Sequence, residues 1–245
     1  MPKVKIIEEV RAVKSKKELA YIIKAQRISE RVLGDAIKRL KIGITELEVA
    51  KYIEQSFAKY GAPILAFPVI VAFGKNTANI HHVPTNTKLK KGDTVMFDIG
   101  CTVNHYCSDM TRTYFWGEPN GKQKEMYQAV YDAQALAIKA IKKGERRGKV
   151  VDSIARKFLV KKYPDNFKHG LGHGVGTVIH EWPFFSPHSA DSRVPTGCVM
   201  TVEPGIYLTG FGGVRIEDML LINKTGFKNL TLTPSTLEKV ILEPK

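Results

Sequence analysis

Residues 93–116 read DTVMFDIGCTVNHYCSDMTRTYFW, and this stretch gives the clearest indication of the fold. Apolar and β-branched residues dominate both of its ends, which is typical of buried strands. Asn104 and His105 lie between the two ends and suit a tight hairpin turn. Each strand carries one acidic residue, Asp98 in VMFDIG and Asp109 after the turn. The stretch therefore predicts an apolar hairpin that carries two carboxylates.

A second pair of strand-like segments lies nearer the C-terminus. Residues 198–207 and 213–222 are again rich in apolar and β-branched side chains, and they carry Glu203 and Glu217. A charge inside such a segment costs several kcal/mol unless it is paired. The chain thus contains two similar strand pairs, each with two acidic residues.

Helical periodicity precedes each strand pair. Ser15 with Glu18, and Thr45 with Glu48, have the spacing of capping boxes. The predicted helices span about residues 15–40, 45–60, 123–143 and 149–163. The order helix, helix, strands occurs twice, which predicts a single α+β domain. Its two related halves are predicted at about residues 15–116 and 122–223.

Composition and charge narrow the function classes. The chain has 245 residues and a net charge of +14, from 38 Lys plus Arg against 24 Asp plus Glu. No stretch approaches the roughly 20 consecutive apolar residues of a membrane span, and the first residues lack the apolar core of a secretory signal. The basic residues are dispersed rather than interleaved with aromatics. A solvated basic surface is therefore favoured over nucleic-acid binding.

Three cysteines lie among apolar residues: Cys101, Cys107 and Cys198. An odd number cannot all pair, so we interpret them as reduced thiols in or near the core. This interpretation predicts a cytoplasmic location.

The four acidic residues in the strands have two interpretations. Taken singly, each is best explained by a salt bridge to arginine or by capping of a loop. Taken together, four converging carboxylates repel one another unless cations lie among them. The glycine-rich segment HGLGHGVG adds His169 and His173, and its glycines let the backbone approach a site closely. Carboxylate oxygens with an imidazole nitrogen suit first-row divalent cations.

Five motifs resemble one known family. They are GDTVMFDIG (92–100), YCSDMTRTYF (106–115), HGLGHGVGTVIHEWP (169–183), VMTVEPGIY (199–207) and GGVRIED (212–218). In this order they resemble the creatinase, prolidase and methionine aminopeptidase superfamily, from about residue 10 to the C-terminus. The resemblance implies a pita-bread fold, in which two pseudo-symmetric helix–helix–strand halves form a curved antiparallel sheet with helices on its outer face.

The resemblance also implies a dinuclear metal centre. Asp98 is the implied terminal ligand of one divalent cation, and Asp109 and Glu217 the bridging ligands. His173 and Glu203 would complete the other cation. Mn²⁺ or Co²⁺ are the first candidates, and Zn²⁺ or Fe²⁺ the others.

Further roles follow from the same resemblance. Glu203 would shuttle the proton of the attacking water to the leaving nitrogen, and His180 would donate a hydrogen bond to the developing oxyanion. His81 would contact the substrate, in preference to its neighbour His82. Arg215 would support the carboxylate cluster; an ordinary salt bridge in the same place is its simpler interpretation.

The motifs and the length point to different branches. SDMTRTYF, HEWP, TVEPGIY and GGVRIED resemble the proline-specific branch, whereas a chain of this length matches bacterial methionine aminopeptidases. We favour the motifs, because they line the site. The predicted activity is therefore hydrolysis of Xaa-Pro bonds, as an Xaa-Pro dipeptidase or Xaa-Pro aminopeptidase acting on peptides with proline at the second position. The alternatives are a methionine aminopeptidase and a non-catalytic nucleic-acid- or ribosome-binding member of the fold.

Proline-branch enzymes usually carry an additional N-terminal domain, which this chain is expected to lack. That domain shapes the site and the dimer, so a homodimer and a monomer are both open. Prolidases also use an arginine between His180 and the TVEP motif to hold the carboxylate of a dipeptide. In that interval the chain has Arg193 alone, and dipeptidase and longer-peptide activity both stay open.

Overall fold

The computed structural model describes residues 3–189 and 193–243. The helices are α1 (Lys3–Ala12), α2 (Lys16–Arg39), α3 (Glu46–Lys59), α4 (Gly121–Lys142), α5 (Gly148–Val160) and α6 (Leu237–Val240). The strands of the first half of the chain are β1 (Ile70–Phe73), β2 (Thr94–Ile99), β3 (Thr102–Val103), β4 (Tyr106–Cys107) and β5 (Met110–Trp116). The remaining strands are β6 (Gly172–Gly174), β7 (Glu181–Phe185), β8 (Val199–Val202), β9 (Gly205–Leu208), β10 (Gly212–Arg215), β11 (Asp218–Asn223), β12 (Gly226–Asn229) and β13 (Ile241–Leu242).

The two predicted capping boxes are confirmed. Glu18 N donates to Ser15 Oγ at 3.3 Å, and Ser15 N donates to Glu18 Oε2 at 2.7 Å, so α2 begins at Lys16. Thr45 and Glu48 make the equivalent pair at the start of α3. Each box satisfies backbone N–H groups that a helix start otherwise leaves unpaired.

The hairpin predicted at Asn104-His105 is also confirmed. The two residues have φ angles of 47° and 70°, and a two-residue turn of this kind matches the twist of the paired strands. β3 and β4 flank the turn and pair antiparallel. β2 and β5 continue the hairpin, with Asp98 opposite Thr111.

Two larger sheets carry the acidic strands. The first has the order β1-β2-β5-β13 and the second the order β12-β11-β8-β6-β7, while β9 and β10 form a separate pair. The sheets meet at the end of β10, where Glu217 N donates to Thr111 O at 3.1 Å. Arg215 N donates to Thr113 Oγ1 at 3.1 Å beside it. These cross-links bring the acidic residues of both hairpins to one place.

Helices cover the sheets and complete the core. The apolar sides of α2, α3, α4 and α5 pack on the strands in one continuous buried cluster. Cys101, Cys107 and Cys198 are buried and free, as predicted. Within the described ranges, no helix is long and apolar enough to cross a bilayer.

The structure adds to the predictions in two places. α1, β12, α6 and β13 were not predicted, since α1 begins without a capping signal and the other elements are too short for a periodic pattern. The predicted antiparallel pairing is confirmed, with one addition: the short strand β13 runs parallel to β5 at the edge of the first sheet. The division into halves near residues 116–122 stays a prediction.

Candidate metal centre

All five predicted ligands line one cleft of about 600 Å³. Asp98 lies on β2 and His173 on β6. The other three lie at strand ends: Asp109 before β5, Glu203 after β8 and Glu217 before β11. Residues up to 119 positions apart in the chain, Asp98 and Glu217, are therefore brought together by the meeting of the two sheets. Their role as ligands stays a prediction.

The candidate ligand atoms are within metal-binding range of one another. One ligand atom from each of Asp109, His173 and Glu217 lies within 4.8 Å of the other two. His173 Nε2 is 3.1 Å from Glu203 Oε1 and 3.6 Å from Asp109 Oδ2. His173 is 7% exposed and Glu217 is 2% exposed. Because little water reaches them, the negative charges of the carboxylates are poorly screened.

The electrostatics of the cluster favour a bound cation. Burial raises the pKa of Asp109 and Glu217 well above the usual range, and neighbouring carboxylates raise it further. Burial also raises the pKa of Asp98, although Arg215 opposes it. Asp98 Oδ1 and Glu217 Oε1 are buried, and neither has a hydrogen-bond partner among the residues that the structure describes. Buried carboxylate oxygens without donors are expensive, and a divalent cation would satisfy them. The residues present therefore fit a divalent metal site.

Glu203 and His173 form a closer pair inside the cluster. Burial disfavours the charged form of Glu203, but the hydrogen bond and the charge of His173 outweigh it and lower its pKa to about 2. The pKa of His173 is raised because Glu203 outweighs the effect of burial. Thr201 Oγ1 donates to Glu203 Oε1 at 3.1 Å and accepts from His173 N at 3.0 Å. This threonine fixes both members of the pair.

Arg215 supports the cluster from behind. Its Nη2 donates to Asp98 Oδ2 at 2.6 Å, and its Nε donates to Thr111 Oγ1 at 2.9 Å. Thr111 Oγ1 donates in turn to Glu217 Oε2 at 2.8 Å. Arg215 also donates from Nη1 to Tyr207 OH at 2.8 Å. One guanidinium thus orients Asp98 directly and Glu217 through Thr111.

Two contributors to this support were not singled out in the sequence. Thr111 and Tyr207 both lie in the quoted motifs, but their roles depend on contacts between distant segments. Tyr207 OH is 2.8 Å from His169 Nε2. Burial raises the pKa of Tyr207 to about 12. His169 therefore contacts Tyr207 rather than the carboxylates, which favours a structural role for this histidine.

The other predicted histidines lie at the mouth of the cleft. His180 is exposed, and its ring packs edge-on against that of His173 with centroids 4.3 Å apart. Burial of part of the ring lowers the pKa of His180. His81 is exposed in the same cleft. His82 is 8% exposed and its Nε2 lies 2.8 Å from Glu46 Oε2. Both histidines line the cleft, but Glu46 holds His82, whereas His81 is exposed.

Glu46 is a buried carboxylate of a different kind. It is completely buried on α3, and its two oxygens accept from Phe73 N, Asn76 Nδ2 and Thr85 N at 2.8–2.9 Å. Thr85 Oγ1 adds a fourth contact at 2.7 Å and His82 a fifth. The side chain ties the segment after β1 to the start of α3.

Arg193 lies outside the lining of the cleft. Its Nη2 donates to Gly144 O at 3.2 Å, and its backbone bridges to Arg147. The walls of the cleft are instead mostly apolar. Val83 and Phe184 belong to this apolar lining and are 75% and 41% exposed.

Comparisons with known proteins identify the family of the chain. A family model described as metallopeptidase family M24 matches residues 20–224. The Xaa-Pro dipeptidase of Pyrococcus furiosus is 42% identical over 233 residues, which cover 95% of this chain and 66% of that protein. The X-Pro aminopeptidase structure from Thermotoga maritima is 37% identical, with a TM-score of 0.90, over 98% of this chain and 66% of that one. The prolidase structure from Pyrococcus horikoshii is 41% identical, with a TM-score of 0.91, over 96% and 67%.

The fold and the site together define an α+β pita-bread protein with a carboxylate–histidine centre suited to divalent metal ions. The chain belongs to metallopeptidase family M24. It spans 64–66% of the length of the curated relatives that it matches.

Proposed function

We propose that the chain hydrolyses Xaa-Pro peptide bonds with two divalent metal ions held by Asp98, Asp109, His173, Glu203 and Glu217. The single observation that carries the proposal is the convergence of these residues in one cleft, where two buried carboxylate oxygens find no partner in the described part of the chain. Family membership supports the reaction class, and the similarity to an Xaa-Pro dipeptidase and an X-Pro aminopeptidase supports the choice of bond.

The reaction needs a nucleophilic water and a polarised carbonyl. Divalent cations held by the cluster would lower the pKa of a water and polarise the peptide carbonyl. Glu203 would take a proton from that water and deliver it to the leaving nitrogen. Its hydrogen bond from Thr201 keeps the carboxylate in place during the transfer.

His180 and His81 complete the proposed site. His180 lies at the cleft mouth beside His173, and the partly buried ring has a lowered pKa. As a neutral imidazole it retains one N–H, which can donate to the oxyanion that develops on the carbonyl. His81 lies in the lining of the same cleft and would contact the substrate. Arg215 keeps Asp98 oriented without contacting the substrate.

The cleft walls support a substrate with an apolar residue at the scissile bond. Phe67, Ile80, Val83 and Phe184 line it, and a proline ring buries against such side chains without losing rotamer freedom. We propose peptides with proline at the second position as the substrate, in a reducing, cytoplasmic compartment that suits the free cysteines. A homodimer stays a prediction.

A substrate panel tests the proposal. Xaa-Pro dipeptides, Xaa-Pro tripeptides and Met-Ala peptides are incubated separately with the metal-free protein and added Mn²⁺, Co²⁺, Zn²⁺ or Fe²⁺. We expect turnover of Xaa-Pro peptides that chelators abolish. Cleavage of Met-Ala peptides alone would instead identify a methionine aminopeptidase. Failure to bind any metal, together with salt-sensitive RNA binding, would favour the non-catalytic alternative.

A further inference from the structure

His180 is carried by an irregular segment. Residues 176–180 join β6 to β7 without regular secondary structure, and His180 is the last of them. Its ring packs against His173, so its position depends on the backbone of this segment. Catalytic hydrogen bonds need positional accuracy, and a displacement of about 1 Å can cost about 100-fold in rate. The contacts that hold residues 176–180 therefore bear on catalysis.

A buried ion pair lies directly behind this segment. Glu181, the residue after His180, contacts Lys14 with Oε1 to Nζ at 2.5 Å and Arg11 with Oε2 to Nη2 at 3.1 Å. The Lys14 side chain is 1% exposed and that of Glu181 is 9% exposed. A pair so far removed from water persists only where the geometry is good, and removing one partner leaves a buried charge uncompensated.

The same charged group holds the other end of the segment. A Cβ built on Gly176 would lie 2.4 Å from Glu181 Oε1, so the carboxylate occupies the space beside the first residue of the segment. Arg11 Nη2 also donates to Thr177 Oγ1 at 2.7 Å. The backbone of Lys14 is anchored independently, because its N–H donates to Gly197 O at 3.0 Å just before β8.

We propose that Lys14, Arg11 and Glu181 form a clamp that fixes residues 176–180 at both ends and so positions His180 over the carboxylate cluster. The three are positioning residues, since they act through His180 and do not contact the substrate. The proposal rests on the proposed function, and it assigns a role in the reaction to the segment that follows α1. Lys14 connects the clamp to the strand that leads to Glu203, so both sides of the cleft share one anchor.

A double-mutant cycle tests whether the clamp acts through His180. Lys14→Met is made in the wild-type protein and in His180→Ala, and kcat, KM and metal content are measured with an Xaa-Pro peptide. We expect Lys14→Met to lower kcat about 10- to 100-fold in the wild type and less than about 2-fold in His180→Ala, with metal content unchanged. Equal losses in both backgrounds, or no loss in either, would overturn the proposal.

A second variant guards against simple misfolding. Gly176→Ala keeps every charge but places a methyl group where the Glu181 carboxylate lies, so it should show the same dependence on His180. Lys124→Met is the matched control, because it removes a lysine that pairs with Glu118 at the exposed surface. The control should leave kcat unchanged. A Gly176→Ala protein with wild-type kcat would count against the clamp.

Hydrogen exchange separates this proposal from the proposed function, because it needs no activity. We expect the backbone amides of Gly176, which donates to Val178 O, and of Cys107, which donates to Gly176 O, to exchange at least about tenfold faster in Lys14→Met and Gly176→Ala than in the wild type, and not in Lys124→Met. Unchanged exchange in both variants would reject the clamp even in an active enzyme. A wild type that cleaves no peptide would reject the proposed function, and the exchange comparison would still decide the clamp.

Discussion

Two buried carboxylate sites within one domain contrast sharply. Glu46 on α3 is completely buried, yet five hydrogen-bond contacts reach its two oxygens. Its pKa is lowered, because the contacts from His82, Asn76, Thr85 and Phe73 outweigh the effect of burial. Asp98 and Glu217 lie in the cleft, and within residues 3–189 and 193–243 one buried oxygen of each has no hydrogen-bond partner; burial raises the pKa of both.

The number of hydrogen-bond donors around each carboxylate distinguishes a structural site from a candidate metal site. A carboxylate with a full set of donors is stable as it stands and serves the fold. A group of carboxylates with unpaired oxygens is unfavourable by itself and is relieved by cations. Fold stability and metal binding should therefore respond in opposite ways when the two sites are altered.

The largest expected effect is at the cluster. Glu217→Gln removes one predicted ligand and one of the repelling charges. We expect activity to fall on the order of 10³-fold or more, while the metal-free variant unfolds at a higher temperature than the metal-free wild type. Steady-state kinetics and calorimetry in a chelator measure the two effects. Near-normal activity of the Glu217→Gln protein would contradict a role of the cleft carboxylates in metal binding.

The matching change at the other site should affect stability instead. Glu46→Gln keeps the size of the side chain but replaces an acceptor oxygen with an NH₂ group facing N–H donors. We expect a loss of about 2–4 kcal/mol in the free energy of unfolding, because buried donors lose a charged acceptor. Urea denaturation measures it. Metal content per folded protein should equal that of the wild type, and a drop in metal content would contradict the assignment.

Each of the two carboxylate sites contains a threonine whose hydroxyl donates to a buried carboxylate: Thr111 to Glu217 and Thr85 to Glu46. Thr111→Val removes the hydroxyl that donates to Glu217 and accepts from Arg215. We expect metal affinity to fall about 10-fold, the usual order for loss of a group that orients a ligand. Thr85→Val at Glu46 is the control and should lower stability by about 1 kcal/mol without changing metal affinity. Titration calorimetry and urea unfolding of both variants give the comparison.

The smallest expected effect concerns a carboxylate nearer the surface. Hydrogen bonds from Ser15 and Tyr106 lower the pKa of Glu18 to about 2. A depressed pKa stabilises the fold at pH values above the unfolded pKa of about 4.5, and the contribution is lost as the pH falls toward 2. Glu18→Gln should therefore lose stability less steeply between pH 5 and 2, by less than about 1 kcal/mol after solvent screening. Parallel slopes in urea unfolding at several pH values would contradict this.

Several helix starts, one turn and the candidate ligands could be predicted from the sequence, whereas the contacts that support them could not. The capping boxes at Ser15 and Thr45 and the turn at Asn104 are local signals, so they located α2, α3 and the hairpin. The five candidate ligands lie in sequence motifs that are distinctive, and the structure places them in one cleft. Their ligand roles await the tests above.

The supporting contacts could not be predicted from local pattern. Thr111 and Arg215 are 104 positions apart in the chain, and Lys14 and Glu181 are 167 apart. Such pairs depend on how the sheets meet, which no periodicity encodes. The preference for His81 over His82 stays a prediction; the contact of His82 with Glu46 supports it, and local pattern could not have revealed that contact.

The position of Arg215 has a consequence for charge balance. Its guanidinium lies beside four carboxylates, with a side chain 3% exposed. With bound cations holding the four carboxylates ionised and His173 neutral, these protein groups would sum to −3. One divalent cation would bring this to −1, and two would bring it to +1. Two cations therefore leave room for a single small anion, and an ionised water or a substrate carboxylate would make the centre electrically neutral. Removing Arg215 would shift this sum by one unit and leave the doubly occupied centre neutral before any anion arrives.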